Sequence, residues 1–205
     1  MPVRLDGGCL VAGLKEGTPV EREGMRVWQH FESRLSLRVI EVQDSATFDN
    51  DLHDEVLYDL GRNVGMYIPA GATMTLRGPS TLVSSLTPAA KSRREPLIVR
   101  LDDQPMQQTG DRSYRELIQA EVTQFVGSIP PGRAPDHFHL YEEVICILEG
   151  KGVMWAGTTS TPVARGSCIF LPVRQRHCVE NTGSGELRLL GVFYPAGSPA
   201  VRYPA

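Results

Sequence analysis

Short runs of alternating apolar and polar residues, separated by glycine and proline, recur along most of this 205-residue chain. This pattern is typical of β-strands joined by turns. Long amphipathic helical patterns are missing, and the best helical candidate, residues 111–118, is equally compatible with a strand. We therefore predict an all-β protein. The predicted strands fall into two series, residues 36–42, 55–60, 65–68 and 81–86, followed by residues 121–128, 143–148, 152–156, 167–171 and 186–194.

The two series of strands align with each other as an imperfect repeat. Residues 54–61 match residues 142–150, and residues 66–71 match residues 169–174. A repeat of this kind predicts two copies of one β unit. The first copy is shorter between its matching positions, so we expect it to lack one hairpin.

Composition changes along the chain predict the domain boundaries. We expect an N-terminal arm at residues 1–24, a first β domain at 25–90, a linker at 91–115 and a second β domain at 116–205. The linker is rich in proline, alanine, glutamine and charge, with one further strand predicted at 97–101. The arm is expected to pack on the outside of the fold or to add an edge strand to a partner subunit.

Charge and cysteine content exclude several classes of function. The net charge is −3, and the only short basic run, residues 91–94, is expected to be a solvated linker, so we predict no nucleic-acid partner. The four cysteines show no CxxC spacing, and Cys146 and Cys168 lie in apolar runs typical of buried thiols. A Cys168–Cys178 disulfide is the less favoured alternative. With neither a leader pattern nor a long apolar run, we expect a soluble cytoplasmic protein without a membrane partner.

Three of the five histidines and one glutamate cluster between Gly132 and Asn181. His137 and His139 point to the same face of a strand because side chains alternate along it, and Glu143 shares that face if the strand continues. His177 comes from a separate segment and closes the site from a neighbouring strand. Three imidazoles and one carboxylate suit divalent Fe, Mn, Zn, Ni or Co. We predict one such metal, with these four residues as ligands, as the only cofactor.

The same residues resemble the two motifs of the cupin superfamily, which are small antiparallel jelly-roll barrels. The first motif is matched by Gly132, His137, His139, Glu143 and Gly150, and the second by Gly166, Pro172, His177 and Asn181. The resemblance covers roughly residues 30–195, and the second half carries most of its specificity. It implies a bicupin, with two jelly-roll (double-stranded β-helix) barrels of which the N-terminal one is truncated and degenerate.

Two positions depart from the family pattern. Only four residues separate Gly132 from His137, where the family often has five. The glycine usual two residues after the motif proline is Arg174 here, although a turn with positive φ favours glycine. Either this turn is of another type, or Arg174 places a charge near the barrel mouth.

The first copy lacks the imidazoles. The positions that match His137, His139 and His177 are Asp49, Asp51 and Met74, and only Glu55 is retained. Oxygen ligands alone suit a hard cation. Because Met74 fills the fourth position, we favour the interpretation that the first copy is scaffold. His53 has the opposite strand parity and is expected at the surface.

The resemblance implies a metal-dependent enzyme that acts on a small organic molecule, with open metal positions for substrate or dioxygen. An iron or nickel centre suits a dioxygenase-like reaction, whereas manganese, zinc or cobalt suits a Lewis-acid isomerase, cyclase or decarboxylase. We assign no catalytic side chain, because no second acid–base pair lies near the motifs. The alternative is a non-catalytic cupin that binds or senses a metal-chelating small molecule, and a purely structural metal is a third, weaker interpretation.

An apolar pocket in the second barrel is expected to hold the substrate. Arg133 and Arg174 are candidates for binding a carboxylate or phosphate on it. The residues expected to line the pocket are Gln124, Arg133, Tyr141, Ile145, Ile147, Trp155, Phe170 and Arg174. A homodimer is expected because jelly-roll barrels expose sheet edges, although the duplicated architecture also allows a monomer.

Overall fold

The structure, a computed structural model, describes residues 1–91, 94–201 and 203–204, so Ser92 and Arg93 of the predicted basic run lie outside the described residues. Almost all regular structure in the described part is β-strand, and the all-β prediction is confirmed. The first twelve strands are β1 (Val3–Arg4), β2 (Leu10–Gly13), β3 (Val20–Arg22), β4 (Met25–Phe31), β5 (Leu37–Val42), β6 (Ser45–Asp49), β7 (His53–Asp59), β8 (Val64–Ile68), β9 (Thr73–Arg77), β10 (Ser80–Pro88), β11 (Leu97–Arg100) and β12 (Gln107–Thr109).

The remaining strands belong to the second half of the chain. They are β13 (Arg112–Gln119), β14 (Thr123–Ile129), β15 (Gly132–Arg133), β16 (His137–Phe138), β17 (Glu142–Glu149), β18 (Lys151–Ala156), β19 (Thr159–Ala164), β20 (Ser167–Leu171), β21 (His177–Asn181), β22 (Leu187–Tyr194) and β23 (Tyr203–Pro204). Two short 3-10 turns, Asp6–Gly8 and Leu101–Asp103, complete the regular structure of the described residues. The helical candidate at residues 111–118 is β13.

The chain divides into two compact units. One consists of Met1–Leu14 together with Pro105–Ala205, and the other of Lys15–Gln104. These boundaries differ from the expected ones, because sheet edges recruit segments that composition assigns to an arm and a linker. Strand β2 of the expected arm pairs with β20 of its own chain, and β11 of the expected linker pairs with β8.

The C-terminal unit is a jelly-roll barrel. Its larger sheet has the order β1-β2-β20-β17-β22-β14-β13-β12, and its smaller sheet has the order β19-β18-β21-β16-β23, with β15 also paired to β21. Apolar side chains from both sheets, among them Ile145, Leu189, Met154 and Val179, form one buried core. The alternation of inward and outward residues along each strand produces this core.

The N-terminal unit repeats the central part of this topology. Its larger sheet has the order β11-β8-β7-β10-β5-β4-β3, in which β8-β7-β10-β5-β4 corresponds to β20-β17-β22-β14-β13. Its smaller sheet is β6-β9. A short turn, residues 60–63, joins β7 to β8, whereas the β18–β19 hairpin separates β17 from β20. The N-terminal unit is therefore the shorter barrel, and it lacks one hairpin, as the sequence predicts.

Equal strand registers identify which residues of the two barrels correspond. In the N-terminal unit, Ser84 lies opposite Arg38 of β5 and also opposite Leu57 of β7. In the C-terminal unit, Gly191 lies opposite Phe125 of β14 and Ile145 of β17.

Glu55 lies two residues before Leu57, and Glu143 lies two residues before Ile145. Leu57 and Ile145 therefore correspond, and so do the residues across the sheet from them, Arg38 and Phe125. By the same registers, Ser84 corresponds to Gly191.

A buried ion pair forms inside the N-terminal barrel. Nη2 of Arg38 lies 2.6 Å from Oε1 of Glu55, and the Ser84 hydroxyl donates to the same oxygen at 2.6 Å. Arg38 also donates to the Ser84 hydroxyl oxygen. Glu55 is 4% exposed, so its charge is balanced by the guanidinium and not by water.

The four cysteines are buried free thiols, and the alternative Cys168–Cys178 disulfide is not formed. Within the described residues, no helix is long and apolar enough to cross a membrane.

Substituting Arg38 with methionine should strongly destabilise the N-terminal unit. The change keeps an unbranched apolar stem but leaves the Glu55 carboxylate buried with only a hydroxyl partner, which costs about 3–5 kcal/mol. Urea unfolding followed by fluorescence measures this loss. The double variant R38M/E55Q should recover most of it, because it removes both charges.

The matched control is Arg62→Met. Arg62 pairs with Asp59 at 2.6 Å, but its side chain is half exposed, and the carboxylate keeps hydrogen bonds from Ser80 and the Gly61 backbone. This variant should lose no more than about 1 kcal/mol. An equal loss in the two single variants would contradict the structural role assigned to the buried pair.

Candidate metal centre

The smaller sheet of the C-terminal unit places two of the predicted ligands side by side. His137 of β16 lies directly opposite His177 of β21. His139 follows β16 by one residue and points to the same side, and Glu143 lies at the start of β17 in the larger sheet. The site is therefore formed where the two sheets approach each other.

The three imidazoles and the carboxylate converge in the barrel interior. One ring nitrogen from each of His137, His139 and His177 lies within 4.8 Å of the others. Oε2 of Glu143 lies 3.5 Å from Nε2 of His139 and 3.5 Å from Nε2 of His177. All four side chains are buried. The structure thus brings together the four residues that the sequence selects.

Backbone carbonyls orient two of the imidazoles. Nδ1 of His177 lies 2.7 Å from the Gln175 carbonyl oxygen, and Nδ1 of His137 lies 3.3 Å from the Pro135 carbonyl oxygen. A carbonyl can only accept a hydrogen bond, so each Nδ1 carries a proton, and in the neutral imidazole Nε2 is the nitrogen with the lone pair. This is how ligand histidines are commonly held in metalloproteins. The ring of His139 is held differently, because it stacks on the ring of Tyr141 at 4.9 Å.

The electrostatics of the cluster favour a neutral imidazole beside an ionised carboxylate. Burial, with a further contribution from His177 and His139, lowers the pKa of His137 to about 3. Burial alone raises the pKa of the Glu143 carboxyl, but its contacts with His177, His139 and His137 outweigh this and hold the pKa below its ordinary value. The site therefore offers an uncharged nitrogen donor and an anionic oxygen donor at neutral pH.

The donor set fits a divalent first-row transition metal. Oε2 of Glu143 is fully buried and accepts no hydrogen bond of normal length. An ionised carboxylate oxygen in this state is costly unless a cation or donor compensates it. Three nitrogen donors and one such oxygen are the ligand types that Fe, Mn, Zn, Ni and Co share. His137, His139, His177 and Glu143 would hold the metal.

The turn at Arg174 keeps the left-handed conformation expected of glycine. Its φ is 61°, so the alternative of a different turn type is excluded, and an arginine adopts this conformation at a cost. The backbone amide of Arg174 donates to the His139 carbonyl at 2.8 Å. The turn therefore fastens the segment that carries His139, while the Arg174 side chain is exposed.

The N-terminal 3-10 turn supports the segment that carries His177, a contact that the sequence analysis missed. Asp6 accepts hydrogen bonds from the backbone and the hydroxyl of Thr158. A Cβ on Gly7, whose φ is 67°, would lie 1.7 Å from Oε1 of the buried Gln175. The backbone carbonyl of Gln175 orients the His177 ring, so the turn packs against the segment that positions this ligand. The Gly7-Gly8 pair predicts a turn, but nothing in the sequence predicts that this turn contacts Gln175.

A cavity of about 570 Å³, part of which is open to solvent, adjoins the cluster. Besides the four candidate ligands, its lining is mainly apolar, and β12, β13 and β14 each contribute polar side chains to it. The lining residues beyond the ligands are Thr109, Arg112, Ser113, Tyr114, Phe125, Gly127, Ser128, Ile129, Ile145, Val179, Leu189, Phe193 and Pro199.

Among the eight residues expected to line the pocket, Ile145 does so. Tyr141 and Ile147 are buried in the surrounding core, and Tyr141 stacks on His139 without lining the cavity. Gln124 and Phe170 lie on the opposite strand faces from the inward-facing Phe125 and Ile169, because parity alternates.

Three further residues expected at the pocket lie outside it. The Trp155 indole donates to Glu180 at 2.8 Å, and the Arg133 guanidinium lies over the Trp155 ring at 4.1 Å. Arg133 also pairs with Asp136 at 3.2 Å, which holds it at the surface. Arg174 is exposed as described above. Both arginines that were candidates for binding a substrate anion are therefore outside the cavity lining.

The corresponding region of the N-terminal unit has no similar cluster. Asp49, Asp51 and His53 are exposed, and Met74 packs against the apolar core beside Phe48. Within the described residues, the histidine triad is the one group of ionisable side chains arranged to hold a metal ion.

Comparison with known proteins agrees with this geometry. Residues 125–193 match a family model described as Cupin domain. The matched segment lies within the C-terminal unit. Of the curated relatives, an uncharacterised protein of Methanocaldococcus jannaschii is 37% identical over 54 residues, which are 26% of this chain and 43% of that protein. Auxin-binding protein 1 of Arabidopsis thaliana is 30% identical over 83 residues, 36% of this chain and 42% of that protein. The matches thus span less than half of either relative.

Several solved structures resemble the chain over most of its length. A Pseudomonas aeruginosa protein described as glyoxylate-induced superposes with a TM-score of 0.78 at 15% identity, covering 98% of this chain and 94% of that one. Protein Ylba of E. coli gives 0.76 at 12% identity, covering 96% and 95%. Oxalate decarboxylase of Bacillus subtilis gives 0.72 at 12% identity, covering 92% and 78%. At these identities the likeness supports the fold alone.

Replacing His137 and His139 together with alanine should abolish metal loading, because half of the donor set is removed. Metal content after purification, measured by inductively coupled plasma mass spectrometry, checks this. The matched control is D49A/D51A, at the positions that the sequence repeat aligns with these histidines, which should leave the metal content unchanged. Full metal occupancy in the histidine variant would overturn the ligand assignment.

Replacing Gly7 with alanine should lower metal affinity by about 10–100-fold, the effect typical of disturbing a group that orients a ligand. The new Cβ displaces the side-chain amide of Gln175, the residue whose backbone carbonyl holds His177. Competition titration with a chelating dye measures the affinity. Gly17→Ala is the control, since Gly17 also has a positive φ of 91° but has nothing within 4 Å of the added atom. Equal affinities for the two variants would contradict the support role of the N-terminal turn.

Proposed function

We propose that the chain is a metal-dependent cupin enzyme that acts on a small organic molecule in the C-terminal barrel. The observation that carries this proposal is the buried Glu143 oxygen, which faces two imidazole Nε2 atoms at 3.5 Å without a normal hydrogen bond. A structural metal would need no adjoining cavity, whereas this cluster forms one wall of a cavity.

The protein's own residues orient the donors and exclude water. Backbone carbonyls fix the tautomers of His137 and His177, so that both Nε2 atoms face the centre of the cluster. Apolar side chains around the cavity, including Phe125, Ile145 and Phe193, limit the access of water. When bound, the metal supplies a Lewis acid with open positions for substrate or dioxygen.

The cavity provides little acid–base chemistry of its own. Among the described residues that line it, Glu143 is the one carboxylate, and the Tyr114 hydroxyl is engaged with Gln107 at 3.0 Å. This supports a reaction in which the metal does most of the work: dioxygenation with iron or nickel, or isomerisation, cyclisation or decarboxylation with manganese, zinc or cobalt. A related fold occurs in oxalate decarboxylase, whose Mn(II) centres are named in one of the similar structures.

We also propose that the N-terminal unit is a degenerate cupin domain that serves as scaffold. Its central strand order matches that of the C-terminal unit, and its retained carboxylate, Glu55, is neutralised by Arg38. Because the Arg38 guanidinium already supplies a positive charge beside Glu55, a metal is not needed there.

A non-catalytic binding protein is the second candidate. The scarcity of acid–base groups in the cavity favours it equally, and one curated relative is named for binding auxin. Turnover separates the two candidates.

The test begins with the metal that the purified full-length protein retains. Oxygen uptake and product formation are then followed with phenols, diketones, sugar acids and oxalate, using protein reloaded with iron, manganese, zinc, nickel or cobalt. We expect turnover with one metal and no turnover after chelation. Oxygen consumption that requires iron identifies a dioxygenase, and turnover without oxygen identifies Lewis-acid chemistry. Failure to retain any metal would overturn the proposal, and tight binding without turnover would establish the binding protein.

A further inference from the structure

A strap of chain, residues 195–201, follows β22 and crosses from the larger sheet of the C-terminal unit to the smaller one. β22 lies in the larger sheet, whereas β23 pairs with β16 of the smaller sheet. The ring of Tyr203 in β23 stacks on the ring of Phe138 with centroids 5.5 Å apart. The strap is therefore tied to a sheet at each end and spans the gap between the two sheets.

Strand register places the strap at the end of the cavity that holds the candidate ligands. Phe193 lies opposite both Thr123 and Glu143, so these three residues are level with one another across the larger sheet. The strap begins just after β22, and its Pro199 lines the cavity. Ile129, which also lines the cavity, lies at the far end of β14. The strap thus covers the ligand end of the cavity, and other segments form the opposite end.

The start of the strap is fastened to the barrel by hydrogen bonds at two places. The Thr123 hydroxyl donates to the Gly197 carbonyl oxygen at 2.9 Å and accepts from the Gly197 amide at 3.2 Å. The Ala196 amide donates to the Glu121 carbonyl oxygen at 2.8 Å. The strands beside the ligands are instead held by continuous ladders of backbone hydrogen bonds. The strap is therefore a part of the wall that can open at low cost.

Tyr141 contacts the middle of the strap and one candidate ligand at the same time. Its hydroxyl donates to the Ser198 carbonyl oxygen at 3.2 Å. Gly197 packs so closely on the Tyr141 ring that a Cβ on this glycine would overlap it. The same ring stacks on His139 with centroids 4.9 Å apart and an interplanar angle of 11°. Tyr141 thus joins the strap to the ligand cluster.

We infer that residues 195–201 form a gate at the ligand end of the cavity and that the Tyr141 hydroxyl latches this gate shut. In the closed arrangement each candidate ligand is at most 8% exposed, so passage of an ion at this end requires the strap to move. Opening breaks the hydrogen bonds of Tyr141 and Thr123 but no strand ladder, as is typical of loops that close over a site. The inference rests on the proposed function, since the gate serves the same site, but its movement can be measured without metal.

The first test measures movement of the strap in the metal-free, full-length protein by hydrogen exchange and mass spectrometry. The variants Y141F and T123V each remove one hydroxyl that fastens the strap and keep the shape of the side chain. The control is Y58F, because Tyr58 donates to Asn63 at 3.0 Å within the N-terminal unit. Exchange at residues 195–201 should be about 2–10-fold faster in Y141F and T123V, the effect of one hydrogen bond, and unchanged in Y58F. Unchanged exchange in both strap variants would overturn the inference.

The second test measures passage of zinc ions. Stopped-flow mixing of metal-free protein with zinc gives the rate of entry, and mixing of zinc-loaded protein with excess chelator gives the rate of release. Loosening a gate raises both rates by the same factor and leaves the dissociation constant, which is their ratio, unchanged. We expect both rates to rise about 2–10-fold in Y141F and T123V and to stay unchanged in Y58F.

Two outcomes of the zinc measurements contradict the gate. Faster release without faster entry would show that the variants weaken the ligand set, and unchanged rates would show that zinc passes by another route. Failure of the unsubstituted protein to bind zinc would count against the proposed function instead. Hydrogen exchange of the metal-free protein would then decide whether the strap is latched by Tyr141.

Discussion

A carboxylate buried in the central sheet of each barrel is the constraint on which the rest of the structure depends. Such a group is too costly to bury without compensation. In the N-terminal barrel a side chain provides the compensating charge, because the Arg38 guanidinium lies 2.6 Å from the Glu55 carboxylate. In the C-terminal barrel three imidazoles surround Glu143, and its buried oxygen has no hydrogen bond of normal length.

The residues at two corresponding positions account for this difference. Where the N-terminal barrel has Arg38 over Ser84, the C-terminal barrel has Phe125 over Gly191. The glycine makes space for an aromatic ring that cannot neutralise a charge, and that ring becomes part of the cavity wall. One barrel thus contains a buried ion pair, and the other contains a cavity beside a buried carboxylate that is surrounded by imidazoles.

The sequence predicts the fold class and the position of the cluster because both follow from local patterns. Alternation identifies strands, and the even spacing of His137, His139 and Glu143 puts them on one face. The cavity wall could not be predicted in the same way. Whether Phe125 or Gln124 points inward depends on strand register, which neighbouring strands determine.

Long-range contacts explain the other differences from the sequence analysis. Arg112 lies in a segment that composition assigns to a linker, and the pairing of β13 with β12 and β14 places it on the cavity. Arg133 is near the motif in sequence, but its pairing with Asp136 holds it outside. The expected arm at residues 1–24 is divided between the two units for the same reason, since sheet pairing joins segments that are distant in sequence.

The pairing of β2 with β20 has a consequence for the order of folding. It makes the C-terminal unit discontinuous, with the entire N-terminal unit inserted between its first fourteen residues and the rest. Closing a loop of this length is only modestly more costly than closing a short one, because the entropy depends on the logarithm of length, but it is kinetically slow. The contact between the N-terminal turn and Gln175 therefore joins two segments that the whole N-terminal unit separates in sequence.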